Sequence, residues 1–192
     1  MITPDEIIRS KTVCFSGHRT EKLPPVCQTE EGRRVLASFI VAAVEESIEA
    51  GFDTFITGGA RGIDLWAAMI IAGMKADRPA ANLKLVTAVP FRNQNAALVG
   101  KELFDYGLML EASDCVVYVS ENYTSDCLRR RNRYMIAHSS KLIAVLSNPK
   151  SGTAQTVRMA RESGIEVKLI EVDKLFGENA KLPEIGRERS YI

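Results

Sequence analysis

Six short apolar segments, rich in residues that favour β-strands, alternate along this chain with longer segments whose apolar residues recur at helical spacing. Such alternation is typical of α/β proteins, in which helices join parallel strands and cover both faces of their sheet. The sequence therefore predicts an α/β fold with a mostly parallel sheet of about six or seven strands and helices on both faces. The predicted strands are residues 12–16, 54–57, 83–89, 115–119, 142–146 and 166–170.

The helices predicted between these strands include one that carries the apolar repeat from Val35 to Ile48 and ends at Gly51. Further helices are predicted over 63–76, within 95–112, around 129–138 and over 154–163. A chain of 192 residues is the usual size of one α/β domain. We therefore expect a single domain, 1–192, with a polar C-terminal tail at 173–192.

Composition limits the kinds of partner that the chain is expected to have. Lys and Arg number 25 against 24 Asp and Glu, so the net charge is only +1, without the basic excess of a duplex-binding protein. A nucleic-acid partner is therefore not expected. The first residues carry no basic segment, and no long apolar run follows them, which predicts a cytoplasmic protein with no signal peptide and no membrane span.

The four cysteines show no CxxC spacing, and two of them lie inside apolar strand segments. This pattern predicts free thiols in a reducing compartment, with no disulfide, no zinc and no other metal site. The cysteines are Cys14, Cys27, Cys115 and Cys127.

Two glycine-containing turns each follow a predicted strand and open a predicted helix. The first N–H groups of a helix lack intrahelical acceptors, and the helix dipole makes this end partly positive, so it suits an anion. Glycine lets the anion approach the main chain closely. Two such turns on one sheet predict a site for a phosphate-containing, nucleotide-like small molecule. The first turn comprises Gly58, Gly59, Ala60, Arg61 and Gly62, with Asp64 just beyond it, and the second comprises Ser151, Gly152 and Thr153.

Polar residues, glycines and an aromatic residue follow the other predicted strands. Because the carboxyl ends of parallel strands meet at one edge of a sheet, we expect these residues to line the same crevice. They are Ser16, Gly17, His18 and Arg19 after the first strand, Pro90 and Phe91 after the third, and Glu121 after the fourth.

An arginine-rich segment on a later predicted helix is a further source of positive charge. Arg129 and Arg133 share a helix face, and guanidinium groups suit phosphate. The segment contributes Arg129, Arg130, Asn132 and Arg133 to the predicted site. Structural alternatives remain open, because charge runs are usually exposed faces, glycines also serve tight turns, and Asp64 suits the first turn of a helix as a cap.

Two common nucleotide-binding patterns are incomplete or missing. The dinucleotide pattern G-x-G-x-x-G is matched only in part, because Thr57 occupies the first glycine position and no acidic residue follows the next strand. The P-loop pattern G-x-x-x-x-G-K-[ST] does not occur. The sequence therefore argues against ordinary NAD chemistry and against a P-loop NTPase.

Six segments in order resemble the YpsA-like family of the SMF/DprA–LOG superfamily. The segments are SGHR at 16–19, TGGARGIDLWAA at 57–68, VPF at 89–91, VYVSE at 117–121, RRNRYM at 130–135 and GTAQTV at 152–157. The resemblance spans roughly residues 11–170 and implies a Rossmann-like fold that binds nucleotides or nucleotide-derived ligands. We expect a nucleotide-derived ligand and no required cofactor.

The wider superfamily includes LOG enzymes, which cleave the N-glycosidic bond of nucleoside monophosphates and carry the pattern P-G-G-x-G-T-x-x-E. Alignment on Gly152 and Thr153 places Thr156 at the glutamate position, so no carboxylate is supplied there for acid–base chemistry. Asp64 and Glu121 are candidate replacements. We assign no catalytic residue, and we include Thr156 in the predicted ligand site.

The leading interpretation is therefore cytosolic binding or sensing of a nucleotide or nucleotide-derived small molecule. Two alternatives remain open, namely an N-glycosidic-bond hydrolase with a displaced carboxylate and single-stranded DNA binding as in the DprA branch. Few aromatic residues and near-neutral charge argue against the DNA alternative. The sequence also leaves a homo-oligomer open.

Overall fold

All six predicted strands are present in the computed structural model, which describes residues 2–176. They form one sheet in which every neighbouring pair is parallel. The strands are β1 (Thr12–Gly17), β2 (Thr54–Thr57), β3 (Lys84–Val89), β4 (Cys115–Tyr118), β5 (Lys141–Leu146) and β6 (Glu166–Glu171). Their order in the sheet is β4-β3-β2-β1-β5-β6, which confirms the α/β, Rossmann-like fold predicted from the sequence.

Six α-helices follow the strands within the described range. They are α1 (Glu30–Glu49), α2 (Ile63–Asp77), α3 (Gly100–Ala112), α4 (Cys127–Ala137), α5 (Gly152–Glu162) and α6 (Val172–Leu175). The helix α1 begins after Thr29, whose hydroxyl accepts a hydrogen bond from the N–H of Gly32 at 3.0 Å. Gly51, with φ +90°, follows the end of α1 as predicted.

The strand order explains which helices cover each face of the sheet. The chain moves outward from β1 to β4, then returns to place β5 and β6 on the other side of β1. Because parallel crossovers are right-handed, this change of direction puts α4 and α5 on the face opposite α1, α2 and α3. Core packing agrees, since Val13 and Phe15 of β1 pack in the cluster with α1 to α3, whereas Cys14 packs in the cluster with α4 and α5.

The change of direction also identifies one position along the carboxyl edge of the sheet. Strands β1 and β5 are hydrogen-bonded neighbours, with Gly17 opposite Val145 near their carboxyl ends. In open α/β sheets, ligands bind in the crevice beside such a reversal. The residues that follow β1, β2 and β5 therefore occupy the place where a site is expected.

Three further predictions concern the ends of the chain, the cysteines and the membrane. The predicted tail at 173–192 begins inside α6, and residues 177–192 lie outside the described residues. The four cysteines are unpaired thiols, and burial raises the pKa of Cys14 to about 12. Among the helices of residues 2–176, none combines the length and the apolar character needed to cross a bilayer.

Candidate functional site

The first glycine turn, residues 58–62, joins the end of β2 to the start of α2 and is packed against the chain that follows β1. Gly62 has φ +80°, a conformation that favours glycine. A Cβ at this position would lie 2.5 Å from the carbonyl oxygen of His18 and 2.7 Å from the N of Thr20. The N–H of Ile63 donates to the same His18 carbonyl at 3.1 Å. One N–H group at the start of α2 therefore already has an acceptor inside the protein.

A buried ion pair lies beneath this turn. Arg131 of α4 donates from Nη1 to Oδ2 of Asp64 at 3.1 Å, and the two side chains are only 9% and 7% exposed. A Cβ on Gly58 would lie 1.3 Å from Arg131 Nη1, so the missing side chain of Gly58 provides the space for the guanidinium. The Nε of Arg131 is buried without a hydrogen-bond partner among residues 2–176.

Asp64 connects the turn to α4 as well as to its own helix. Burial raises the pKa of Asp64, and this rise is opposed by the charge and hydrogen bond of Arg131, by the N–H of Ala60 and by the charge of Arg19. The carboxylate thus interacts both with the turn and with the arginine below it. This geometry gives Asp64 a structural role in fixing the first glycine turn.

Arg61, at the tip of the same turn, faces two carboxylates. Its Nη1 donates to Glu102 of α3, and its Nη2 donates to Glu21 at 3.3 Å. The Arg61 side chain remains 38% exposed. An anion that binds to Arg61 must therefore compete with these two carboxylates.

The second glycine turn, residues 151–153, is more open than the first. Ser151 caps α5, with its hydroxyl accepting from the N–H of Ala154 at 3.2 Å. A Cβ at Gly152 would meet no atom within 4 Å, whereas Thr153 is buried. The start of α5 therefore has free space in front of Gly152.

Consecutive residues of α4 connect the two glycine turns. Arg131 reaches Asp64 of α2, and the next residue, Asn132, donates from Nδ2 to the hydroxyl of Thr156 of α5 at 2.8 Å. That hydroxyl in turn donates to the carbonyl of Gly152 at 3.0 Å. One turn of α4 thus supports the starts of both helices.

His18 links the carboxyl ends of β1 and β5, where the direction of the chain reverses. Its Nε2 accepts from the N–H of Ser147 at 3.2 Å, so this nitrogen carries no proton. His18 is 5% exposed, and burial lowers its pKa, which favours the neutral form of the ring. The loop after β1 is therefore joined both to the first glycine turn and to the loop after β5.

The loop after β3 extends the same rim. Gln94 donates from Nε2 to the carbonyl of Gly59 at 2.5 Å, and Phe91 packs edge-to-face on Tyr123 with 5.4 Å between ring centroids. The Oε1 of Gln94 and the hydroxyl of Ser120 are buried without partners among the described residues. Buried polar atoms are rarely left unpaired, so these two atoms are exceptions in this part of the structure.

The predicted arginines of α4 lie apart from these contacts. Arg129 and Arg130 are exposed near Asp126, whose pKa is lowered by a hydrogen bond from Thr124 and by these two charges. Arg133 borders a groove formed with Arg9 and with the end of α5. Within residues 2–176, none of these three arginines forms a hydrogen bond or an ion pair with either glycine turn.

Arg131, by contrast, was missing from the predicted site. The spacing of Cys127, Arg131 and Met135, each four residues after the last, places Arg131 in the buried stripe of α4. An arginine within an apolar stripe is the sequence signal that would have identified it.

The predicted carboxylates do not form a free acid–base pair. Asp64 is held by Arg131, and Glu121 is exposed and accepts from Nε of Arg92 at 2.6 Å, a hydrogen bond that lowers its pKa. The Thr156 hydroxyl accepts from Asn132 and donates to the carbonyl of Gly152. Across the described part of the chain, no group of three or more His, Cys, Asp or Glu is placed to hold a metal ion. The arrangement offers main-chain N–H groups and arginines, which suit an anion.

Comparison with known proteins gives relatives across most of the chain. A family model described as the YspA SLOG family matches residues 13–175. An uncharacterised SPbeta prophage-derived protein, YoqJ of Bacillus subtilis, is 29% identical over 137 residues, covering 65% of this chain and 79% of that protein. A UPF0398 protein of Halalkalibacterium halodurans is 25% identical over 145 residues, with coverage of 74% and 76%.

A likeness also exists among solved structures. The X-ray structure of DNA processing protein A (DprA) from Streptococcus pneumoniae superimposes with a TM-score of 0.56 at 18% identity. The match covers 84% of this chain and spans half of the DprA chain. At this identity the likeness shows a shared fold.

Proposed function

The chain belongs to the YspA SLOG family, and from that membership and the geometry of its carboxyl edge we propose that it binds a nucleotide or nucleotide-derived small molecule. The observation that carries this proposal is the support of both glycine turns by one turn of α4, through Arg131 and Asn132. Two helix starts on a common support suit a ligand with two polar groups at a fixed separation. The proposed role is binding or sensing in the cytoplasm, with no required cofactor.

The start of α5 is the better place for a phosphate group. It combines the positive end of the helix dipole with open space at Gly152. The first glycine turn, with its buried Arg131 and the exposed Arg19 nearby, would meet a second part of the ligand.

The test uses a variant whose effects on folding and on binding have opposite signs. In Gly152→Asp, a carboxylate at the first position of α5 suits the helix dipole, so the free protein should keep or slightly increase its stability. The same carboxylate would repel a phosphate. Thermal unfolding is followed with a panel of nucleoside mono-, di- and triphosphates, dinucleotides and ADP-ribose, and the wild type should be stabilised by at least one of them.

A ligand present at one hundred times its dissociation constant stabilises a protein by about 2.7 kcal/mol, so the response is readily measured. The Gly152→Asp variant should no longer be stabilised by the ligand. Ser163→Asp is the matched control, because it adds the same charge at an exposed position beyond the other end of α5 and should retain the response. A wild type that responds to no member of the panel, or an equal loss in the control, would contradict the proposal.

A short single-stranded oligonucleotide is the comparison ligand, since the streptococcal protein that shares the fold is a DNA processing protein. With a net charge of +1, this chain should show no salt-dependent retardation of the oligonucleotide in a gel. Retardation of the oligonucleotide, together with no thermal stabilisation by any nucleotide of the panel, would favour the DNA alternative.

A further inference from the structure

The outward face of α3 carries a group of exposed apolar side chains. Val99, immediately before the helix, is 74% exposed, and Leu103, Phe104 and Leu108 are 44%, 65% and 36% exposed. Positions 103, 104 and 108 lie on one side of the helix, while Tyr106 and Met109 face the core. Several large apolar side chains grouped on one exposed helix face are typical of an interaction surface.

Two glycines leave shallow depressions in the surface beside these side chains. Gly107 lies on the same side of α3, and a Cβ there would meet no atom within 4 Å, as is also true of Gly100 at the start of the helix. A second helix can approach a surface of this shape closely and place its larger side chains beside the glycines.

Two exposed side chains at the two ends of α3, Lys101 and Glu111, carry opposite charges, while Glu102 in the first turn is paired with Arg61. Lys101 lies in the first turn, with a side chain that is 84% exposed, and Glu111 is exposed in the last turn. Lys101 contacts Asp105 of its own helix at 2.6 Å, an exposed pair that is easily exchanged for another carboxylate. The face is therefore complementary to a copy of itself turned end to end.

We infer that this face binds the same face of a second copy of the chain in an antiparallel α3–α3 pair. In a two-fold interface, each contact between two residues occurs twice with the chains exchanged. When the pair is centred midway between Phe104 and Leu108, Phe104 of one copy faces Leu108 of the other. With the same centre, Lys101 of each copy lies opposite Glu111 of its partner. One register of the two helices therefore satisfies both the apolar and the charged contacts.

The inference is tested by the mass of the full-length protein in solution. Sedimentation velocity in reducing buffer, over a wide range of protein concentration, should show a monomer–dimer equilibrium. Phe104→Glu places a charge in the centre of the pair and should raise the dimer dissociation constant at least about tenfold. Ile8→Glu is the control, since Ile8 is 53% exposed outside α3 and its replacement should leave the equilibrium unchanged.

Charge reversal distinguishes self-association through this register from any other contact. Lys101→Glu and Glu111→Lys should each weaken the dimer, because each places like charges opposite one another at two positions. The double variant should restore it, because both pairs are again opposite in sign. A wild type that remains monomeric at every concentration, a dimer insensitive to Phe104→Glu, or a double variant no tighter than the single ones would overturn the inference.

Discussion

The two glycine turns occupy equivalent places in the sequence, since each follows a strand and precedes a helix, but their glycines have different surroundings. In the first turn, the space at Gly58 is filled by Arg131, and the space at Gly62 is filled by the chain after β1. In the second turn, nothing lies within 4 Å of a Cβ at Gly152. The first turn is thus shaped by contacts within the protein, whereas the second is open to the outside.

The difference shows that two separate structural requirements can place a glycine in a turn between a strand and a helix. A glycine can leave room for an incoming anion, or it can leave room for the protein's own arginine. The pattern Gly-Gly-x-x-Gly is compatible with both. Which cause applies depends on a side chain far away in the sequence, here Arg131, which lies 67 residues after its partner Asp64.

The largest expected effect comes from removing the arginine beneath the first turn. Arg131→Met leaves the Asp64 carboxylate buried without its partner and should lower the free energy of unfolding by about 3–5 kcal/mol. The equivalent change beneath the second turn, Thr156→Val, leaves the partly buried Asn132 amide without its acceptor and should cost about 1–3 kcal/mol. Urea unfolding of the two variants compares the two supports directly.

A double variant, Asp64→Leu with Arg131→Met, is the control for this comparison. Replacing both charges by apolar side chains should recover much of the loss, because no buried charge then remains unpaired. If Arg131→Met lowers the free energy of unfolding no more than Thr156→Val does, the first turn does not depend more strongly than the second on contacts within the protein.

The second prediction compares the glycines themselves. Gly62→Ala combines a positive φ with contacts of 2.5 to 2.8 Å to main-chain atoms, and should lower the free energy of unfolding by at least about 2 kcal/mol. Gly152→Ala has open space at a helical position and should stabilise the protein by up to about 1 kcal/mol. Denaturant midpoints of both variants measure the difference, and equal losses would show that the second turn is not open.

The smallest effect concerns pH. The pKa of His18 is lowered in the folded protein, so the unfolded chain binds the proton more readily. Stability should therefore be full above the ordinary histidine pKa of about 6.5 and decline as the pH falls below it. His18→Gln should remove this part of the pH dependence, because glutamine does not titrate in this range.

His138→Gln is the matched control, since His138 is the other of the two histidines and stacks on Tyr134 of α4. Free energies of unfolding measured in urea from mildly acidic to neutral pH provide the comparison. An unchanged slope in His18→Gln would mean that the hydrogen bond to Ser147 does not depend on the protonation of His18.

The fold was predictable because its signals are local. Apolar runs identified all six strands, and because the carboxyl ends of parallel strands meet, the loops that carry His18, Gly59 and Gly152 lie at one edge of the sheet. The contacts of charged side chains were not predictable in the same way. Arg61 meets Glu21 and Glu102, which lie 40 and 41 residues away, and nothing in the turn itself indicates these partners.

Adjacent residues of a helix project about 100° apart, and α4 uses this angle to touch one helix with Arg131 and a different helix with Asn132. The rotation of α4 about its own axis therefore determines where both side chains lie. A rotation of this helix about its axis would therefore move both hydrogen bonds at once, the one to Asp64 in the first turn of α2 and the one to Thr156 of α5.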